Sequence, residues 1–266
     1  MTDDQSIPVV QLTVNPSAVA APIYAAAVTC REIVDFYFDA LAKGDLSKPP
    51  PNIATSDFRF DIKRPSLSAD DRRSLHQSWI LAKAFQDLMR GVRASLEQAY
   101  LVIDLTSRRH TVSSSSTVED LTSPILEKAG KRNFPDLLAR VNSKLSEPLA
   151  FAPAYHSMQN ARNCLEHRGG IVGKSDVDPH GNFELRFPRM KFFYMRHGEE
   201  IEIEYGKQVD ADDGKPEVEL FGRFDFHLRN FKLRDQLALT VTDFNEIAFA
   251  CYHFGTLLAA RLPKPA

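Results

Sequence analysis

Between Ser68 and Ile103 apolar residues return every three to four positions without interruption, through Leu75, Trp79, Ala82, Phe85, Leu88, Met89, Val92, Leu96, Ala99, Tyr100 and Ile103. That is the 3.6-residue period of a helix with one buried stripe, sustained over about thirty residues or roughly 45 Å. Ser68-Ala69-Asp70-Asp71 marks its start, with a serine cap and acids against the positive end of the helix dipole. Gly91 is the position where a bend is expected. So long an apolar stripe has to be covered, and the chain supplies further helices to cover it.

Pro22 to Lys43 is one of them, dense in Ile23, Ala27, Val28, Ile33, Val34, Phe36, Tyr37, Phe38 and Leu41 and closed by Gly44. Helices are also expected from Val118 to Gly130, from Phe134 to Leu145 and over 154–168. Residues 1–20 lack a sustained period and read as a mobile arm. Residues 44–68, with Pro49-Pro50-Pro51, read as a connection holding one short strand at Phe58–Ile62. Arg108-Arg109-His110 and the serines after it read as a polar loop.

Past residue 180 the period changes to alternation. Phe183 to Phe187, Lys191 to Arg196, Glu200 to Tyr205 and Val218 to Leu228 are expected strands, reversing at His197-Gly198 and around Asp210 to Gly214. A last helix runs from Asp243 to Leu262 on a stripe of Phe244, Ile247, Ala248, Cys251, Phe254, Leu258 and Leu262. The fold class is therefore mainly α. A bundle over 21–170 is followed by a small antiparallel β segment over 181–240 and a terminal helix over 243–262, within one domain spanning 21–266.

The chemistry concentrates in Ala161-Arg162-Asn163-Cys164-Leu165-Glu166-His167-Arg168-Gly169-Gly170-Ile171-Val172. Arginine offers a permanent charge and a planar fork of donors suited to phosphate oxygens. Histidine gives or takes a proton near neutral pH. On the helix over 154–168, Tyr155, Met158, Ala161 and Leu165 share a buried side, while His156, Asn160, Asn163 and His167 form a separate stripe of uncharged polar groups. Arg162 and His167 lie about 140° apart around one ideal helix, so a single helix does not aim both at one point.

This stretch resembles the signature of the HEPN superfamily: an arginine, a polar residue that is often asparagine, a few residues, then a histidine near the end of a bundle helix. Arg162, Asn163 and His167 fill those places, and the Gly-Gly exit resembles the turn of a HEPN-like group whose order of elements the chain also follows. The resemblance implies an up-and-down helical bundle and a homodimer in which Arg162 and His167 of both chains line one cleft. It implies metal-independent RNA cleavage by the ribose 2′-hydroxyl, leaving a cyclic phosphate, with Arg162 and His167 catalytic and Asn163, Asn160 and Arg168 contacting substrate. Gly169 stands where toxins silenced by nucleotide transfer carry a tyrosine, which argues against regulation of that kind.

Two readings of the motif stay open. In one it cuts RNA; in the other it belongs to a noncatalytic module that binds RNA or protein and is structural, holding the dimer together at its interface, with Arg162 paired to Glu166 and His167 capping carbonyls at the helix end. Net charge is −2 with a sequence pI near 6.5, so RNA contact must be local. Lys128, Lys131 and Arg132 form one local basic group. Cys30, Cys164 and Cys251 are far apart and odd in number, which suggests neither a disulfide framework nor a zinc cage and favours a reducing cytoplasm. No phosphate loop or metal-protease motif is present, and Asp176, Asp178 and His180 read as turn residues rather than metal ligands, so no cofactor or metal is expected. No run reads as a membrane span, and a regulator would be a separate chain.

Overall fold

In the computed structural model, residues 15–48, 54–55, 58–59, 67–107, 117–203 and 219–263 are described. A 3-10 turn at Pro16–Ala20 leads into α1 (Ala21–Lys43), and the pair β1 (Ala54–Thr55) and β2 (Phe58–Arg59) lies in the connection that follows. Then come α2 (Ala69–Ser107), α3 (Val118–Gly130), α4 (Phe134–Asn142) and α5 (Ala152–Arg168). Strands β3 (Asn182–Arg196), β4 (Glu199–Glu202) and β5 (Leu220–Lys232) form an antiparallel sheet of order β4-β3-β5 before α6 (Val241–Ala260). The protein is mainly helical with a small three-stranded antiparallel sheet.

The long helix is the axis of the core. Ser68 caps it as its sequence predicts: its Oγ accepts from the Asp71 N–H at 3.1 Å and donates to the Asp71 carboxylate at 2.7 Å. At 39 residues α2 is longer than the periodic stretch alone indicates. It packs against α1, α3, α4, α5 and α6, and its buried apolar side chains belong to one cluster that runs from Val19 to Leu262. Gly91 marks a close approach: a Cβ there would stand 2.8 Å from the Ala26 Cβ of α1. Ile23 of α1 is fully buried between Gly91 and Gly255 of α6, and its N–H donates to the buried Ser95 Oγ at 3.2 Å.

Several expectations need correction. Leu75 and Trp79 keep the helical period yet are each 57% exposed. At that end α2 meets α1 through polar contacts, among them Tyr37 Oη to His76 Nδ1 at 2.6 Å and Arg73 to the Leu41 carbonyl at 2.6 Å. Val28, Ile33 and Phe36 of α1 likewise face outward. The expected arm over 1–20 is ordered at its end, since Val19 and Ala20 are buried and the 3-10 turn packs on α6; residues 1–14 lie outside the described residues. Pro16–Lys43 is, by length and composition, apolar enough to cross a membrane, which the sequence reading missed; here its buried face packs on α2 and α6. The polar loop at Arg108-Arg109-His110 and the reversal at Asp210 to Gly214 also fall outside the described residues.

The first two expected strands of the sheet are one strand. β3 continues through Pro188, which lies opposite Phe226 of β5; among the described residues β4 pairs with residues 193–196 of β3. His197 and Gly198, with φ of 50° and 83°, make the two-residue reversal to β4. α6 is held by a capping box between Thr240 and Asp243, and the buried Asp243 carboxylate also pairs with Arg229. The expected stripe of α6, from Phe244 to Leu262, is buried at every position.

Candidate functional site

Helix α5 carries the motif. Pro153 sits in its first turn, and Tyr155, Met158, Ala161 and Leu165 are buried as expected, with Ala154 and Cys164 beside them. Tyr155 donates from its hydroxyl to the Ala250 carbonyl at 2.9 Å, which ties the helix to α6. Gly169 ends the helix in the left-handed region at φ 61°, and the Gly170 N–H donates to the Cys164 carbonyl at 3.1 Å. The exit is then stitched to the segment after β5: Leu237 N–H donates to the Gly170 carbonyl at 2.8 Å, and Val172 N–H to the Asp235 carbonyl at 2.9 Å. These bonds hold the last turn of α5 in place.

Arg162 and His167 do not touch each other. Arg162 is ion-paired with Glu166 one turn on and donates to the Asn163 side-chain oxygen at 3.3 Å. Asn163 also accepts from Gln159 at 2.9 Å. The Glu166 carboxylate lies 3.7 Å from Arg90 of α2 and 3.8 Å from Nε2 of His167, the latter beyond hydrogen-bond reach. The His167 side chain is 63% exposed and caps no helix carbonyl. The pairing of Arg162 with Glu166 therefore holds, whereas the capping role considered for His167 does not.

Arg168 turns away from the other motif residues. It pairs with Asp176, whose side chain is buried, and Asp176 also accepts from the Gly173 N–H at 2.8 Å. Asp178 is occupied by the turn amides of His180 at 2.8 Å and Asn182 at 2.9 Å, and those bonds, the Asn182 amide first, lower its pKa. Both aspartates thus serve the turn, and no metal-ligating cluster occurs among the described residues. Burial raises the pKa of Cys164, which disfavours its thiolate. The basic group between α3 and α4 is largely neutralised, with Lys131 on Glu127 and Arg132 on Asp136.

The other half of the polar stripe borders a cleft of about 700 Å³ between α5, the 176–182 turn and the sheet. His156 and Asn160 line it from the helix, and Asn182, Glu184 and Arg186 from alternate positions of β3, with Asn230 of β5 opposite Glu184. Ser157 fixes the two walls: its hydroxyl accepts from the Arg186 N–H at 2.9 Å and donates to the Glu184 carbonyl at 2.8 Å. Asn160 is the only expected site residue in this cleft; Asn163 and His167 lie further along the same stripe. The sheet residues were missed from sequence, although the alternation Asn182, Glu184, Arg186 marks one polar strand face; the pairing of Arg162 with Glu166 was expected, its contact with Arg90 was not.

Comparisons of the chain with models of known protein families, with curated proteins and with solved structures find no match.

Proposed function

We propose that this chain is a HEPN-like, metal-independent endoribonuclease that works as a homodimer. The observation that carries the reading is His167: a largely exposed imidazole on the braced last turn of α5, in the same patch as a partly exposed Arg162. A neutral imidazole removes the proton of a ribose 2′-hydroxyl. The 2′-oxygen then bonds to the adjacent phosphorus, the bond from phosphorus to the 5′-oxygen breaks, and a protonated imidazole returns a proton to that leaving oxygen. The products are a 2′,3′-cyclic phosphate and a 5′-hydroxyl. Arg162 holds the charge that builds on the phosphate, and Asn163 orients the strand beside it.

The dimer is what the resemblance implies: a twofold axis would bring a second copy of Arg162 and His167 to the site. Such a dimer offers two imidazoles, one to take a proton and one to give it. RNA is the partner in this reading, a regulator would be a separate chain, and the three free buried thiols suit a reducing cytoplasm.

A second reading is favoured by one contact. With Arg162 satisfied by Glu166 and Asn163 inside one subunit, the motif would serve a noncatalytic HEPN-like module that binds RNA or protein. Arg162→Ala and His167→Ala separate the two. Loss of RNA cleavage by both, with the dimer and the melting temperature kept, supports the nuclease; collapse of the dimer in either supports the binding module.

A further inference from the structure

The cleft beside the motif is not used by the chemistry just described. Five of its side chains are uncommitted: Asn160, Asn182 and Asn230, together with His156 and Glu184, have no side-chain hydrogen bond or ion pair among the described residues. Each asparagine amide offers both donors and an acceptor, the same mixture that a nucleobase edge presents. The electrostatics disfavour a phosphate here. Asp178 and Glu184 are carboxylates, Asp176 is matched by Arg168, and the Arg186 guanidinium lies 3.8 Å over the Phe226 ring rather than toward an anion. A neutral group with mixed donors and acceptors suits this lining.

The cleft is also aligned with the motif. Asn160 and His167 lie on one stripe of α5, seven positions or about 10 Å apart, with Asn163 between them. A short single-stranded segment spans that distance. Ser157 and the stitched helix exit hold both ends of the path in fixed relation.

We infer that this cleft between α5 and the β3–β5 sheet takes an unstacked base of single-stranded RNA, read by Asn160, Asn182 and Asn230, while the sugar-phosphate chain runs along the stripe toward His167. The inference rests on the ribonuclease reading for the strand's direction, not for the cleft's chemistry. Single-stranded bases splayed into pockets and read at their edges are the usual basis of RNA sequence preference.

The test uses the full chain and 2′-O-methyl homo-oligonucleotides of each base, which lack the attacking hydroxyl, beside an abasic strand of equal length. Affinity is read by fluorescence anisotropy. Wild type is expected to favour one base over the abasic strand by about tenfold, the worth of one good edge contact. Asn230→Trp, which fills the cleft from an exposed position, and Asn182→Ala should both reduce that preferred strand toward the abasic value. Retention of the preference in both variants overturns the cleft. RNA cleavage with unchanged base preference in Asn230→Trp overturns the cleft and leaves the ribonuclease standing. A neutral nucleoside that binds wild type but not Asn230→Trp, with no strand bound or cut, supports the cleft as a base site and overturns the ribonuclease reading.

Discussion

The guanidinium of Arg162 is ion-paired with the carboxylate of Glu166, and that same carboxylate lies 3.8 Å from Nε2 of His167. One acid thus stands between the two motif residues and holds the arginine that the proposed chemistry needs for a phosphate. Substrate has to compete with Glu166 for Arg162. Glu166→Gln removes the competing charge, so its affinity for uncleavable RNA should rise by roughly three- to tenfold at low salt, and the gain should shrink as salt screens it. The stability change should be about 0.5–1 kcal/mol, because a partly exposed i,i+4 pair to Arg162 and a longer contact to Arg90 are both weakened. Anisotropy titrations at two salt concentrations check this, and an affinity equal to wild type would show that Glu166 does not compete.

The helix exit should tolerate change unequally. Gly169 and Gly170 both have positive φ, but a Cβ on Gly170 would stand 2.4 Å from the Gln236 amide nitrogen whereas one on Gly169 meets open space. Gly169→Ala is expected to cost about 1 kcal/mol from backbone strain alone. Gly170→Ala should cost about 1 kcal/mol more, because the Gln236 side chain has to swing aside and gives up its bond to the Gly169 carbonyl. Urea unfolding of the two variants reads the difference directly, and equal midpoints would contradict it.

Packing around Ile23 yields a similar contrast deep in the core. A Cβ on Gly255 would lie 2.6 Å from Ile23 Cγ2, and one on Gly91 would lie 2.8 Å from the Ala26 Cβ. Gly91→Ala and Gly255→Ala should each destabilise by about 1–3 kcal/mol despite alanine's better helix propensity. Gly130→Ala, with no neighbour within 4 Å, serves as the control and should cost much less in the same melting experiment.

His253 supplies a pH test. Burial first and the charge of Arg261 second lower its pKa below 6.5, and its ring stacks 4.4 Å from that of Phe224. A histidine with a depressed folded pKa binds its proton more readily when unfolded. Its contribution is therefore constant above about pH 6.5 and is lost as pH falls from there through the folded value. His253→Gln should flatten the fall in stability over that interval. Parallel pH profiles for wild type and variant would place the titration elsewhere.

Much of the helical frame is legible in the chain because it depends on local periodicity and caps. The expected stripes of α5 and α6 are buried as their spacing indicates, though Ala250 and Gly255 of α6 are buried beside them, and Ser68 caps where its neighbours indicate. Spacing does not say where a partner helix stops. Leu75 and Trp79 therefore keep the period of α2 with little to cover them. Two strands were expected where β3 is one, because the chain alone does not reveal that residues 188–190 pair with 224–226 of β5. Of the site, Arg162, Asn163 and His167 stand out as a motif, but the cleft does not. It arises from the pairing of Glu184 with Asn230 and the hydroxyl bridge at Ser157, contacts between residues far apart in sequence.

The most direct measurement is RNA cleavage by the purified chain in EDTA, with product ends identified and His167→Ala assayed alongside. The account predicts 2′,3′-cyclic phosphate ends from wild type and none from the variant, with both proteins folded and dimeric. Equal cleavage by the two proteins, or intact RNA with both, would contradict it.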